Sequence, residues 1–170
     1  MSLEDIQAVI DSAKARGIDH LEGFIRRRLP GMSEPKVQET AEVALEIIES
    51  VPVFLARASQ EARERRMVKE VQPVLDHAET YFLRPVDLIP EMTLGLAGLL
   101  DDTYLVLRIL QNLDGGPQPF LDWDLDHPVA FLRGLVGTEI GDKLDVLSVA
   151  ALQEVSQQLS LVWEQMAHDA

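Results

Sequence analysis

Ser33-Glu34-Pro35-Lys36-Val37-Gln38-Glu39-Thr40-Ala41-Glu42-Val43-Ala44-Leu45-Glu46-Ile47-Ile48 is the stretch that decides the fold. Val37, Ala41, Ala44, Leu45 and Ile48 recur at three- and four-residue spacing, so they form one apolar stripe of a helix that Ser33 and Pro35 open. Upstream, Leu3, Ile6, Val9, Ile10 and Ala13 repeat the pattern, with Ser2 as a cap and Gly17 as a stop. A short helix from Asp19 turns Leu21, Phe24 and Ile25 inward and ends at Leu29-Pro30-Gly31.

Downstream, Pro52 predicts a kink or a fresh start, because proline lacks the amide donor and clashes with the preceding turn. Helical patterning from Val53 to about Val71 follows, and Pro73 restarts it for a helix ending near Leu83. Arg84-Pro85-Val86-Asp87-Leu88-Ile89-Pro90 reads as an ordered loop or single turn, since each proline disfavours helical geometry in the residue before it. Asp101-Asp102 heads a strongly apolar helix, Thr103 to Leu113. Beyond it lies a Gly- and Pro-rich connector over 114–127, whose Phe120 and Trp123 are expected to dock on the bundle. Pro128 opens a further short helix, Gly134, Gly137 and Gly141 loosen the next connection, and Asp142 or Asp145 begins a last long helix to about Ala167. With no competing strand pattern, the fold class is all-α: a single-domain helical bundle, residues 1–170, of seven to nine helices.

Composition agrees. The chain of 170 residues is 46% hydrophobic and only 5% aromatic, so its core rests on Leu, Val, Ile and Ala. Cysteine is absent, which excludes disulfides, thiolate metal sites and a cysteine nucleophile, and points to a reducing compartment. Met1-Ser2-Leu3-Glu4-Asp5 is acidic where an export signal needs a basic start. Met92–Leu100 is too short to cross a bilayer, and Leu144–Trp163 is interrupted by Asp145, Glu154 and glutamines. A cytoplasmic protein without stable membrane insertion is expected.

The net charge of −14 is unevenly placed: residues 1–72 hold 11 basic against 13 acidic side chains, residues 73–170 hold 4 against 16. Such a surface repels phosphates and anionic lipid, so nucleic acid is not an expected partner, whereas cations or basic partners are attracted. Arg26-Arg27-Arg28 and the mixed-sign stretch from Arg57 to Lys69 read as solvated helix faces.

Three of the four histidines follow an aspartate and precede an aromatic by four residues: Asp19-His20 with Phe24, Asp76-His77 with Tyr81, Asp126-His127 with Phe131. Diverged helix-loop-helix units are one explanation; coincidence in an Asp-rich chain is the other, and the unequal intervals favour it. A metal site from His20, His77 and His127 would need distant segments to converge, without the i, i+4 histidine pairing of helical zinc motifs.

Tyr81-Phe82-Leu83-Arg84-Pro85-Val86-Asp87-Leu88-Ile89-Pro90-Glu91, followed by Gly95, Gly98 and Asp101-Asp102, is the most distinctive segment. Over about residues 73–113 it resembles the YkvA-like family of bacterial domains of unknown function, marked by a Pro-x-Asp-Leu-Ile-Pro-Asp loop, a glycine and an Asp-Asp pair starting an apolar helix. Glu91 stands where the family has aspartate, leaving Asp87, Pro90, Asp101 and Asp102 as the matched positions. The resemblance implies no particular reaction.

Taken on their own, Asp87, Glu91, Asp101 and Asp102 put four carboxylates into one apolar segment, where buried acids need partners. In the structural reading Asp87 caps amides of the proline turn, Asp101 caps the next helix, Asp102 meets its positive end, and Arg84 or Arg108 pairs with them. In the functional reading Asp87, Glu91, Asp101 and Asp102 converge on Mg²⁺ or Ca²⁺. The structural reading is the expected one, with Asp87, Pro90, Glu91, Asp101 and Asp102 forming a rigid hub and no cofactor. Asp122-x-Asp124-x-Asp126 begins like a calcium loop, but His127 replaces its glycine and Arg133 its closing glutamate. The expectation is thus a non-enzymatic interaction or scaffold protein, with a protein partner or self-association as a homodimer. The alternatives are a divalent-cation-dependent enzyme and a peripheral membrane protein held through residues 83–113.

Overall fold

The computed structural model describes residues 3–83, 95–113 and 124–153, the last three by backbone alone, together with Glu164. Seven α-helices run through these residues: α1 (Leu3–Ala15), α2 (Asp19–Arg28), α3 (Glu34–Glu64), α4 (Val68–Leu83), α5 (Leu100–Leu113), α6 (Asp126–Val136) and α7 (Thr138–Gln153). A 3₁₀ turn, Gly95–Leu99, leads directly into α5, and no strand occurs among the described residues. The all-α bundle expected from periodicity is what forms. Ser2, the 84–94 segment and the connector over 114–123 lie outside the described residues.

The amphipathic stripes bury as the spacing requires. Ile6, Ile10 and Ala13 of α1, Leu21, Phe24 and Ile25 of α2, and Val37, Ala41, Ala44 and Ile48 of α3 enter one apolar core. Leu45 is only half-buried at its edge. At the centre lies α5, with eleven of its fourteen residues buried. It packs on α3, α4, α6 and α7, which is the environment a helix buried over most of its surface demands.

Pro52 does not break its helix: α3 continues through it for 31 residues. An interior proline costs about 3 kcal/mol. Continuing the helix keeps Val51, Leu55, Ala58 and Ala62 on the buried stripe, and fully burying a Val or Leu side chain contributes about 1.5–3 kcal/mol each. Burial therefore outweighs the local rule. Pro73 likewise lies inside α4 rather than at its start. The break falls between the two prolines, where the Met67 amide donates to the Ala62 carbonyl at 2.8 Å and Arg66 adopts φ +57°. That is a glycine-type helix end built with an arginine.

Three other boundaries differ from expectation. α6 begins at Asp126, with the Asp124 carboxylate accepting the Asp126 amide at 2.8 Å, so Asp124 sets a helix entry. α7 begins at Thr138 rather than at Asp142 or Asp145. The α6–α7 link is the single residue Gly137, at φ +89°, while Gly134 and Gly141 lie within helices. Of the three Asp-His pairs, those at 19 and 126 open helices and Asp76-His77 sits inside α4.

Candidate functional site

Of the hub residues, Asp101 and Asp102 are described, whereas Asp87, Pro90 and Glu91 lie outside the described residues. Asp101 and Asp102 occupy the first turn of α5, at 4% and 1% exposure. The positive end of the helix favours both charges. Asp101 is already inside the helix, so it is not an N-cap residue; its Oδ1 accepts the Asp102 amide at 3.0 Å. Successive helix residues point about 100° apart, so the two carboxylates meet different neighbours.

Asp102 lines a cavity of about 480 Å³, walled by Val9 and Ala13 of α1, Phe82 of α4 and Leu99, with Ser12 and Arg16 also lining it. Gly95 holds φ +64°, a conformation that favours glycine, and the turn rests on α2, where a Cβ would stand in ordinary van der Waals contact with His20 Cδ2 at 3.7 Å. The hydroxyl of Thr103, the next residue of α5, is buried without a hydrogen-bond partner among the described residues.

Arg108 does not pair with this acid pair. Its Nε donates to Asp145 Oδ1 of α7 at 2.9 Å, and its Nη1 to Gln111 Oε1 at 2.6 Å. Asp145 is the centre of a network that sequence reasoning missed. Its Oδ1 also accepts the Tyr104 hydroxyl at 2.8 Å, and its Oδ2 accepts Arg133 Nη1 of α6 at 2.9 Å. Arg133 Nη1 further donates to the Tyr104 oxygen at 3.0 Å, and Nη2 pairs with Asp142. Gly141 makes room for it, since a Cβ at that position would lie 2.8 Å from Arg133 Nη1. The network joins α5, α6 and α7 through charge-assisted bonds.

Its electrostatics match. Burial raises the Tyr104 phenol above its ordinary range and the hydrogen bond to Asp145 adds to this, with Arg133 opposing. The bonds to Tyr104 and Asp142 hold Arg133 above its ordinary value. A phenol kept protonated and two guanidiniums shared with carboxylates tie the three helices together as a clasp.

Among the described residues no three or more His, Asp or Glu side chains gather so as to hold a metal ion. His20, His77 and His127 are all described and do not converge. No helix among the described residues is long and apolar enough to cross a membrane. The signal that could have revealed the clasp is scarcity: residues 73–170 hold four cations against sixteen acids, and Arg108 and Arg133 are the one cation of α5 and of α6, each set among apolar neighbours where a charge needs a partner.

No curated protein and no solved structure matches the chain. Residues 78–107, from α4 through the acid pair into α5, match the model of a family described as a protein of unknown function (DUF1232), in keeping with the YkvA-like resemblance over the same stretch.

Proposed function

We propose that this chain is a non-enzymatic, cytoplasmic interaction protein in which the matched segment is the hub that holds the helices in register. The supporting observation is the burial of Asp101 and Asp102 at the head of α5, the helix on which α3, α4, α6 and α7 all pack. Carboxylates in that position serve the helix end and the packing around it. The chain then works by presenting its outer helix faces to a partner protein or to itself.

Calorimetric titration of the full chain with Mg²⁺, Mn²⁺ and Ca²⁺ tests this reading against a divalent-cation enzyme built on Asp87, Glu91, Asp101 and Asp102. The expected trace is flat, with Asp101→Asn and Asp102→Asn each lowering the melting temperature. Saturable cation binding that either substitution removes would overturn the proposal. Flotation with anionic liposomes is expected to leave the protein in the unbound fraction, as a chain of net charge −14 predicts.

A further inference from the structure

Between Lys36 and Arg57, α3 carries four glutamates and no basic residue. Glu39 is shared with Lys36 of its own helix, and Glu49 with Lys14 of α1. Glu42 and Glu46 are exposed, one turn apart on the same face. No cation among the described residues stands within ion-pairing distance of either. The next cation along the helix is already engaged, since Arg57 pairs with Glu61 at 2.7 Å.

Beside these acids the surface of α3 turns apolar. Val43, Ile47 and Phe54 follow one another at spacings of four and seven, all half-buried, and with Pro128 of α6 they wall an open cavity of about 490 Å³. Glu46 and Asp124 are the charged groups in its lining, and no lysine or arginine joins them. Asp124 is exposed and bonds the Asp126 amide, a neutral partner that leaves its charge uncompensated. α3 and α6 each pack on α5 rather than on one another, so the gap between them stays open. At 1.5 Å per residue, Val43 to Phe54 spans about 16 Å, or about three helical turns.

An apolar floor edged by uncompensated carboxylates selects a ligand that is apolar on one side and basic at its margins. A furrow of that length fits a helix whose apolar residues recur every three or four positions. We propose that this groove receives a basic amphipathic helix of a partner protein, its apolar stripe on Val43, Ile47 and Phe54 and its lysines or arginines against Glu42, Glu46 and Asp124. The inference rests on the interaction reading above and names the surface and the class of partner. The chain's own basic stretches are engaged elsewhere: Arg26 is held by Glu22 and Glu34, Arg28 by the Leu135 carbonyl, and Arg65 by Glu61.

The probe is a dye-labelled synthetic peptide of leucine and lysine, about 14 residues long with its leucines on one helical face, followed by fluorescence anisotropy at physiological salt. The full chain should bind it saturably and one to one, and a peptide of the same composition with scattered leucines should bind about ten-fold more weakly or worse. Glu46→Lys should lower the affinity about ten-fold, because it sets like charges against each other. Glu139→Lys makes the same charge change on α7, outside the lining of the groove, and should leave the affinity within about two-fold. Both glutamates are exposed, so melting temperatures should not change. No saturable binding, equal binding of the scattered peptide, or equal losses from the two substitutions would each overturn the proposal. Self-association in sedimentation velocity that Glu46→Lys abolishes would put a second copy in the groove and overturn it as well. Each of these failures leaves the interaction reading standing, whereas divalent-cation binding in the titration removes that reading whatever the peptide does.

Discussion

Replacing Asp145 by alanine removes the centre of the clasp. One carboxylate accepts the Tyr104 hydroxyl at 2.8 Å and the guanidiniums of Arg108 and Arg133 at 2.9 Å each. Its own exposure is 30%, and the two arginines stand at 27% and 32%, so the ion pairs are neither buried nor free in solvent. Exposed pairs contribute about 0.2–1 kcal/mol each, and breaking a fully buried one costs about 3–5 kcal/mol. The intermediate exposure and three lost bonds place Asp145→Ala at about 2 kcal/mol. For a chain of this size that is a fall of about 4–8 °C in melting temperature. Asp142→Ala is the internal control: its side chain is 66% exposed and its one ion pair among the described residues is with Arg133, so it should cost no more than about 0.5 kcal/mol. Asp145→Asn keeps an oxygen acceptor but loses the charge, and should fall between the two. Thermal and urea denaturation followed by circular dichroism measures all three. Equal losses for Asp145→Ala and Asp142→Ala would refute the claim that one carboxylate ties α5, α6 and α7 together.

Gly137→Ala should cost about 2–4 kcal/mol in urea denaturation. The new Cβ would sit 1.8 Å from Arg28 Nη2, at a backbone φ of +89° that costs an L-residue about 1–2 kcal/mol, and it would push Arg28 off the Leu135 carbonyl it binds at 3.1 Å. Arg66→Gly should do the reverse and stabilise the chain by about 0.5–1 kcal/mol. Relief of the left-handed backbone at φ +57° exceeds the extra unfolded-state freedom of glycine, and a lower melting temperature would contradict this. Tyr104, with its pKa raised in the fold, predicts an alkaline limb. Stability is full below the ordinary phenol value near 10 and is lost as pH rises through the folded value, because the unfolded chain ionises first. Tyr104→Phe should flatten part of that limb in pH-dependent melts, and an unchanged slope would assign the limb to other groups.

The bundle was legible wherever one helix carried its own instructions. α2 runs from Asp19 to Arg28, ahead of Leu29-Pro30-Gly31, and α3 opens after Ser33 with Pro35 in its first turn, as local residue chemistry dictates. Errors came where a local rule met a tertiary one. Pro52 and Pro73 look like breaks to any reading confined to neighbouring residues, because the compensating burial of Val51, Leu55, Val74 and Leu75 depends on helices elsewhere in the chain. The true break, at Arg65–Met67, carries no glycine to announce it.

The candidate site divides along the same line. An Asp-Asp pair heading an apolar helix is ambiguous in sequence, since a helix-end charge and a metal ligand use the same atoms. Asp101 and Asp102 are 4% and 1% exposed in the first turn of α5, where the helix end favours their charge, and Asp102 also lines the cavity between α1, α4 and the 3₁₀ turn. The clasp was invisible for a different reason. Tyr104, Arg133 and Asp145 are separated by 29 and 12 residues, and only the single-residue turn at Gly137 and the room left by Gly141 bring them within bonding distance. Two glycines that read as slack in the sequence are the residues that let the charged contact close.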